Sequence, residues 1–92
     1  MIQIRDGKKA VSFDGFVLEI FGMSGGKSHR YTVDQIEKIG IAEGKGEIMF
    51  MAKLPRGGGF GMAFSVAKRG ELEHLVAEVE KARSEAASDT GI

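Results

Sequence analysis

The chain has 92 residues, which is enough for one domain and too short for two. Its 13 Lys and Arg balance 13 Asp and Glu, and a net charge of zero argues against a nucleic-acid binder, whose attraction to phosphate needs a basic excess. The absence of cysteine excludes a disulfide scaffold, a thiolate zinc site and a cysteine nucleophile. Fourteen glycines and a single proline indicate tight turns between short strands rather than a disordered linker.

The first third of the chain alternates apolar and polar residues, as half-buried strands do. Ile2 and Ile4 form a short first run. Residues 9–13 and 16–21 flank the dipeptide Asp14-Gly15, which is the strongest short signal for a hairpin. We therefore predict a hairpin closed by a type I′ turn, in which both central residues have positive φ.

Four further strands are predicted between residues 28 and 66. Residues 28–33 alternate again, a corner follows at residues 34–35, and a strand through Ile41 leads to a turn at residues 44–46. In the last two strands, the larger apolar residues share one face, which predicts the core side. These residues are Ile48, Phe50, Ala52 and Leu54 in the first of the two strands, and Phe60, Met62, Phe64 and Val66 in the second. The glycine-rich segments 22–27 and 55–59 are predicted to be loops.

The apolar period then changes from 2 to 3.6, which predicts a C-terminal helix. The spacing i, i+3, i+4, i+7 defines one helical stripe, formed by Leu72, Leu75, Val76 and Val79. Gly70 is the expected N-cap, with Glu73 three residues later as half of a capping box. Residues 89–92 are expected to be a frayed tail, which leaves a single domain over residues 1–88.

These elements predict a mainly β fold: a bent antiparallel sheet or barrel of about seven short strands, capped by a C-terminal amphipathic helix. The order of elements resembles that of pleckstrin-homology-like (PH-like) domains, and the amino-acid sequence of several segments resembles an actinobacterial group of PH-like domains of unknown function. The segments that carry the resemblance are VSFDGFVLEI (11–20), YTVDQIEKI (31–39), GEIMFM (46–51), FSV (64–66) and ELEHLVAEVEKA (71–82). The resemblance implies a binding or scaffolding module without catalysis, and it transfers no ligand-binding residue.

The chain departs from the phosphoinositide-binding PH domains at their ligand loop. Those domains resemble one another in a Lys-rich loop between the first two strands that ends in a Lys/Arg-x-Arg pattern. Here the corresponding turn at Asp6-Gly7 carries only Arg5, Lys8 and Lys9 and lacks that pattern. The turn is also too short to enclose a headgroup, so the resemblance does not extend to phosphoinositide binding.

No motif in the chain has the spacing of a catalytic, metal or cofactor site. The segment GMSGGKS (22–28) has three residues where a Walker A loop needs four, and a strand pattern follows it instead of a helix. PRGGGFG (55–61) is read as a plain loop. His29 and His74 are the two histidines, and neither has the partner spacing of a metal site or dyad. We therefore expect no enzyme, no cofactor and no metal.

The favoured functional candidate is an apolar strand face. Met49 and Met51 lie opposite the core side of their strand, and Val17 and Phe21 have the same position in theirs. A small barrel normally shows polar residues outside, and an exposed apolar face usually marks an interface. The alternative is a bend in the sheet that leaves both faces partly covered, one of them by the helix. We expect a protein partner or self-association, either through this surface or by strand addition at an open sheet edge.

The rival hypothesis belongs to a different class of binding protein. Lys27, Arg30 and Arg56 would form a small basic patch beside the two glycine-rich loops and take an anionic lipid headgroup or a phosphate. The alternative is that the same residues lie at the solvent-exposed end of a strand and form no binding site. No apolar run approaches the roughly 20 residues that span a bilayer, and the N-terminus lacks the apolar segment of a secretory signal. The expected location is therefore the cytoplasm.

Overall fold

The computed structural model describes the backbone of residues 1–22, 28–55 and 57–90, and side chains no further than residue 85. Within these ranges the chain forms seven strands and one C-terminal helix, so the predicted fold class, mainly β with one helix, is confirmed. The strands are β1 (Ile2–Asp6), β2 (Lys9–Phe13), β3 (Val17–Phe21), β4 (His29–Thr32), β5 (Lys38–Glu43), β6 (Glu47–Lys53) and β7 (Gly59–Ser65), and the helix is α1 (Arg69–Thr90). Short 3₁₀ turns, Val33–Gln35 and Val66–Lys68, precede β5 and α1.

The strands form two antiparallel sheets, each connected in sequence order. The four-stranded sheet has the order β1-β2-β3-β4, and the three-stranded sheet has the order β5-β6-β7. The 3₁₀ turn between β4 and β5 carries the chain from one sheet to the other. Gln35 fixes this turn, because its side-chain Oε1 accepts a hydrogen bond from the backbone N–H of Thr32 at 2.9 Å. The predicted corner at residues 34–35 is therefore present.

One hydrophobic core lies between the two sheets and the helix. It contains the alternate, inward-facing residues of the strands, as the period-2 pattern predicts. Phe50 lies at its centre, with its ring 5.6 Å from that of Phe60 and 6.4 Å from that of Phe64. From α1, Leu72, Leu75 and Val79 are completely buried in the same cluster. The helix therefore closes the core with the stripe that the sequence predicts.

The start of the helix differs from the prediction. Gly70 is not the N-cap, because the chain is already helical at Arg69 and the 3₁₀ turn Val66–Lys68 leads directly into α1. For the same reason Val66 leaves the inward face of its strand, and 55% of its surface is exposed. The helix extends to Thr90.

The predicted hairpin between β2 and β3 is present, but its turn is not type I′. Asp14 closes the turn instead of occupying its centre: its backbone N–H donates to the Val17 carbonyl at 3.3 Å. Its carboxylate accepts hydrogen bonds from the backbone N–H groups of Phe16 at 2.9 Å and Val17 at 2.7 Å. Gly15 alone of the turn residues has positive φ, at 106°. The turn therefore centres on Gly15 and Phe16, one residue later than predicted.

Candidate functional site

The structure divides the four predicted interface residues between two sheets. Met49 and Met51 lie on β6, the central strand of the three-stranded sheet, whereas Val17 and Phe21 lie on β3 of the four-stranded sheet. The inward faces of both sheets share one core, so their outward faces point away from it separately. The structure thus brings the two methionines together and does not join them to the other pair.

The outward face of the four-stranded sheet is mainly polar. Register places Gln3, Ser12, Glu19 and Arg30 in one row across the four strands. Within this row, Arg30 Nη2 lies 3.3 Å from Glu19 Oε1. Phe21 is paired with Ala10 on β2, and it lies among the basic residues Arg5, Lys8 and Lys9 of the β1–β2 hairpin. This face has the composition of a solvent-facing sheet surface, with Val17 and Phe21 as single apolar residues on it.

The outward face of the three-stranded sheet is apolar over its centre. Two adjacent rows cross the sheet there, and neither contains a polar or charged side chain. The first row is Gly40–Met51–Gly61, and the second is Ala42–Met49–Ala63. We call these six residues the methionine face. The buried stripe of α1 belongs to the core on the other side of the sheet, so the helix does not cover this face, and Met51 is 39% exposed.

The methionine face has a ridge along β6 and an open furrow along β5. Met49 fills the space beside β7, because a Cβ added at Gly61 would lie 3.3 Å from its sulfur. At Gly40 an added Cβ would meet nothing within 4 Å. A cavity of about 440 Å³ lies at this end of the face, lined by Lys38, Ile39, Gly40, Ile41, Met51, Ala52, Lys53 and Phe60. The β5 side can therefore accept a side chain from outside.

Opposite charges stand at the two ends of the methionine face. Lys38 and Lys53 are directly paired across β5 and β6 in the row before the face. Glu47 is paired with Ser65 in the row after it. Among the residues that the structure describes, Lys38, Lys53 and Glu47 make no ion pair. The face is therefore positive at one end, apolar in the middle and negative at the other end.

The open edge of β7 is occupied by two side chains from the β1–β2 hairpin. Lys9 Nζ donates to the carbonyl of Ala63 at 2.7 Å. The backbone N–H of Ser65 donates to Asp6 Oδ2, also at 2.7 Å. Because strand addition needs free backbone groups on an edge, these two bonds obstruct it at β7.

Of the three residues in the predicted basic patch, Arg30 is the one that the structure describes. Lys27 and Arg56 lie outside the described residues. The Arg30 side chain is 70% exposed, and its Nη2 lies 3.3 Å from Glu19 Oε1. His29 points to the opposite face of β4, where its ring stacks on Tyr31 with centroids 6.2 Å apart.

The perturbed carboxyl of Asp14 has a structural explanation. Hydrogen bonds from the backbone N–H groups of Val17 and Phe16 lower the pKa of the Asp14 carboxyl, because they stabilise its charged form. The same bonds hold the β2–β3 turn. Asp14 is therefore a turn residue. In the described part of the chain, no three His, Cys, Asp or Glu side chains cluster as a metal site requires.

Comparisons of the chain with protein-family profiles, with curated proteins and with solved structures found no match. The geometry of the residues therefore carries the functional argument. None of the helical segments that the structure describes combines the length and apolar character needed to cross a membrane.

Sequence reasoning missed four members of the methionine face: Gly40, Ala42, Gly61 and Ala63. Each alternates with a larger apolar residue along its strand, which is the signal that places them outward. Their position beside the methionines depends on the register of β5 and β7 against β6. Strand alternation excludes shifts of the register by an odd number of residues but does not choose among the even ones.

Proposed function

We propose that this protein is a non-catalytic protein-binding module whose contact surface is the methionine face. The observation that carries the proposal is the pair of adjacent rows in which three neighbouring strands present no polar side chain to the outside. An antiparallel sheet with one solvated face normally alternates apolar and polar residues. Here the four-stranded sheet follows that rule and the three-stranded sheet does not.

The chemistry of the methionine face suits a protein partner. Contact with it buries no side-chain polar group, so no desolvation of such groups opposes binding. Its glycines and alanines have no side-chain freedom to lose on contact. The methionines are flexible and polarisable and can adapt to the opposing surface. Full burial of an exposed methionine is worth roughly 1.5–3 kcal/mol. Met51 is 39% exposed, so contact would bury about two-fifths of that side chain and contribute roughly 0.6–1.2 kcal/mol.

Strand addition is the less favoured mode of binding. Of the four edge strands, β7 is obstructed by Lys9 and Asp6 and β4 is only four residues long, whereas β1 and β5 are paired on one side only. The methionine face is unobstructed in the described structure. We also propose that the chain is a PH-like domain, because seven antiparallel strands followed by one helix agree with that architecture. A binding module is the function that this resemblance implies. A cytoplasmic location belongs to the same proposal and derives from the sequence.

The test compares two substitutions that match in kind but lie on different sheets. Met51 and Phe21 are both large apolar residues on outward faces, 39% and 37% exposed. Met51→Glu introduces a charge into the methionine face, and Phe21→Glu introduces one into the four-stranded sheet. Each purified variant and the wild type is first compared by far-ultraviolet circular dichroism, so that only folded proteins are used.

The three proteins then serve as immobilised bait in an extract of the source cells, and retained proteins are identified by mass spectrometry. We expect a set of proteins, including the chain itself if it self-associates, that wild type and Phe21→Glu retain and Met51→Glu loses. Equal retention by all three proteins would contradict the proposal. Selective loss with Phe21→Glu would transfer the binding surface to the four-stranded sheet.

A further inference from the structure

We infer that the partner of the methionine face is a second copy of this chain, related by a two-fold axis that runs across the strands. This inference rests on the proposed function and adds the identity and the orientation of the partner. It is carried by the distribution of charge and shape over the four rows of the outward face. A two-fold interface uses the same patch on both copies, so the patch must be complementary to itself.

The charges select the orientation of the axis. When two identical sheet faces pack together, the axis lies in the plane between them. An axis parallel to the strands places the Lys38–Lys53 row against the same row of the second copy, and like charges repel. An axis across the strands, passing between Met49 and Met51, reverses the strand direction. Lys53 then lies over Glu47 of the second copy, and this pair of opposite charges occurs at both ends of the dimer.

The shape of the face agrees with the same orientation. The axis places the Gly40–Met51–Gly61 row over the Ala42–Met49–Ala63 row of the second copy. Met49 lies towards β7, over Gly61, and leaves the β5 side open at Gly40. Because β5 faces β5 in this arrangement, the open furrows of the two copies meet. Because β6 also faces β6, Met51 lies over Met49 of the second copy, and the open space at Gly40 gives it room to turn towards the β5 side.

The size of the face predicts a weak dimer. Three strands about 4.8 Å apart and four rows about 7 Å apart give a footprint of roughly 400 Å² on each copy. The total of roughly 800 Å² is below the about 1,200–2,000 Å² of stable interfaces. We therefore expect a concentration-dependent dimer with a dissociation constant of roughly 0.01–1 mM.

The test is sedimentation equilibrium of the purified full chain from about 10 µM to 1 mM, with wild type, Met51→Glu, Lys53→Glu and Glu47→Lys. We expect the wild type to dimerise and Met51→Glu to remain monomeric. Each single charge reversal places like charges opposite each other at both ends of the dimer. It should weaken dimerisation about 5- to 30-fold, because the contact occurs twice and each exposed pair contributes modestly.

Two combinations of these variants test the orientation. In the double variant Lys53→Glu/Glu47→Lys, opposite charges again face each other, and dimerisation should return to within a few-fold of the wild type. An equimolar mixture of the two single variants should form heterodimers more readily than either variant forms homodimers. An axis parallel to the strands places position 53 over position 53 and position 47 over position 47, so each single reversal would replace one like-charged pair by another and leave dimerisation within a few-fold of the wild type. That result would overturn the proposed orientation.

The failure of this inference can be distinguished from the failure of the proposed function. A wild type that stays monomeric at 1 mM overturns the second copy as partner, and so does a dimer that is indifferent to Met51→Glu. If the extract experiment then still shows other proteins lost with Met51→Glu and retained with Phe21→Glu, the methionine face remains a binding surface for a different protein. If both experiments are negative, the proposed function fails as well.

Discussion

Replacing Leu75 with alanine tests whether α1 closes the core as the structure describes. Leu75 lies in the buried stripe of the helix with no exposed surface, between Leu72 and Val79. The substitution removes three buried carbons, worth about 2.4 kcal/mol at about 0.8 kcal/mol each. The cavity left behind raises the loss to about 3–4 kcal/mol. A domain of this length has a stability of roughly 5–14 kcal/mol, so about a fifth or more of the total free energy of unfolding is at stake.

The assay is urea unfolding followed by far-ultraviolet circular dichroism. Two variants on the same helix serve as controls. Val76→Ala affects a half-buried residue and should cost about 1 kcal/mol, whereas His74→Ala affects an exposed one and should change stability by at most about 0.5 kcal/mol. The expected order of destabilisation is Leu75, Val76, His74. A Leu75→Ala loss below about 1 kcal/mol would refute the packing argument.

Three further predictions concern the turns and edges. Because the folded-state pKa of Asp14 lies below its ordinary value of 3.8, the stabilisation from its carboxylate is complete above that pH and is lost as the pH falls through the lower folded-state pKa. Asp14→Asn should remove this part of the acid dependence of the urea midpoint, and identical pH profiles would contradict the assignment. Gly59→Ala should cost about 1–3 kcal/mol, since its Cβ would overlap the backbone carbonyl oxygen of Ala52 on β6. Gly40→Ala, which meets nothing, should gain about 0.5–1 kcal/mol, and equal shifts of the melting temperature in the two variants would argue against the close approach at Gly59. Lys9→Met removes the bond to the Ala63 carbonyl and should cost about 1 kcal/mol in the same urea assay; an unchanged midpoint would mean that this bond does not hold the β7 edge.

The elements of the fold could be predicted because alternation and helical periodicity report directly on burial. The inward residues of β6 and β7 up to Phe64 lie in the core as their period-2 pattern predicts. The boundaries were less predictable. The Asp14 carboxylate accepts two backbone hydrogen bonds and so shifts the turn by one residue, and the 3₁₀ turn after β7 starts the helix before Gly70. Both depend on local hydrogen bonds that residue patterns do not specify.

The candidate site could be predicted only in part. The alternation of β6 shows that Met49 and Met51 point outward, and the same rule applies to Val17 and Phe21 on β3. It does not show that β3 and β6 belong to different sheets. Strand pairing also determines which small residues lie beside the methionines. That information comes from tertiary structure, because every strand faces the same core and many registers would satisfy the alternation equally well.

The most direct test of the central claim is the nuclear magnetic resonance spectrum of the methionine methyl groups during dilution of the purified chain from about 1 mM to 20 µM. Met1 is exposed outside the methionine face and Met62 is buried in the core, so both serve as internal references. We predict that the methyl resonances of Met49 and Met51 move with concentration while those of Met1 and Met62 stay fixed. Fixed resonances of Met49 and Met51 across the whole range, or shifts of Met1 in their place, would contradict association through the methionine face.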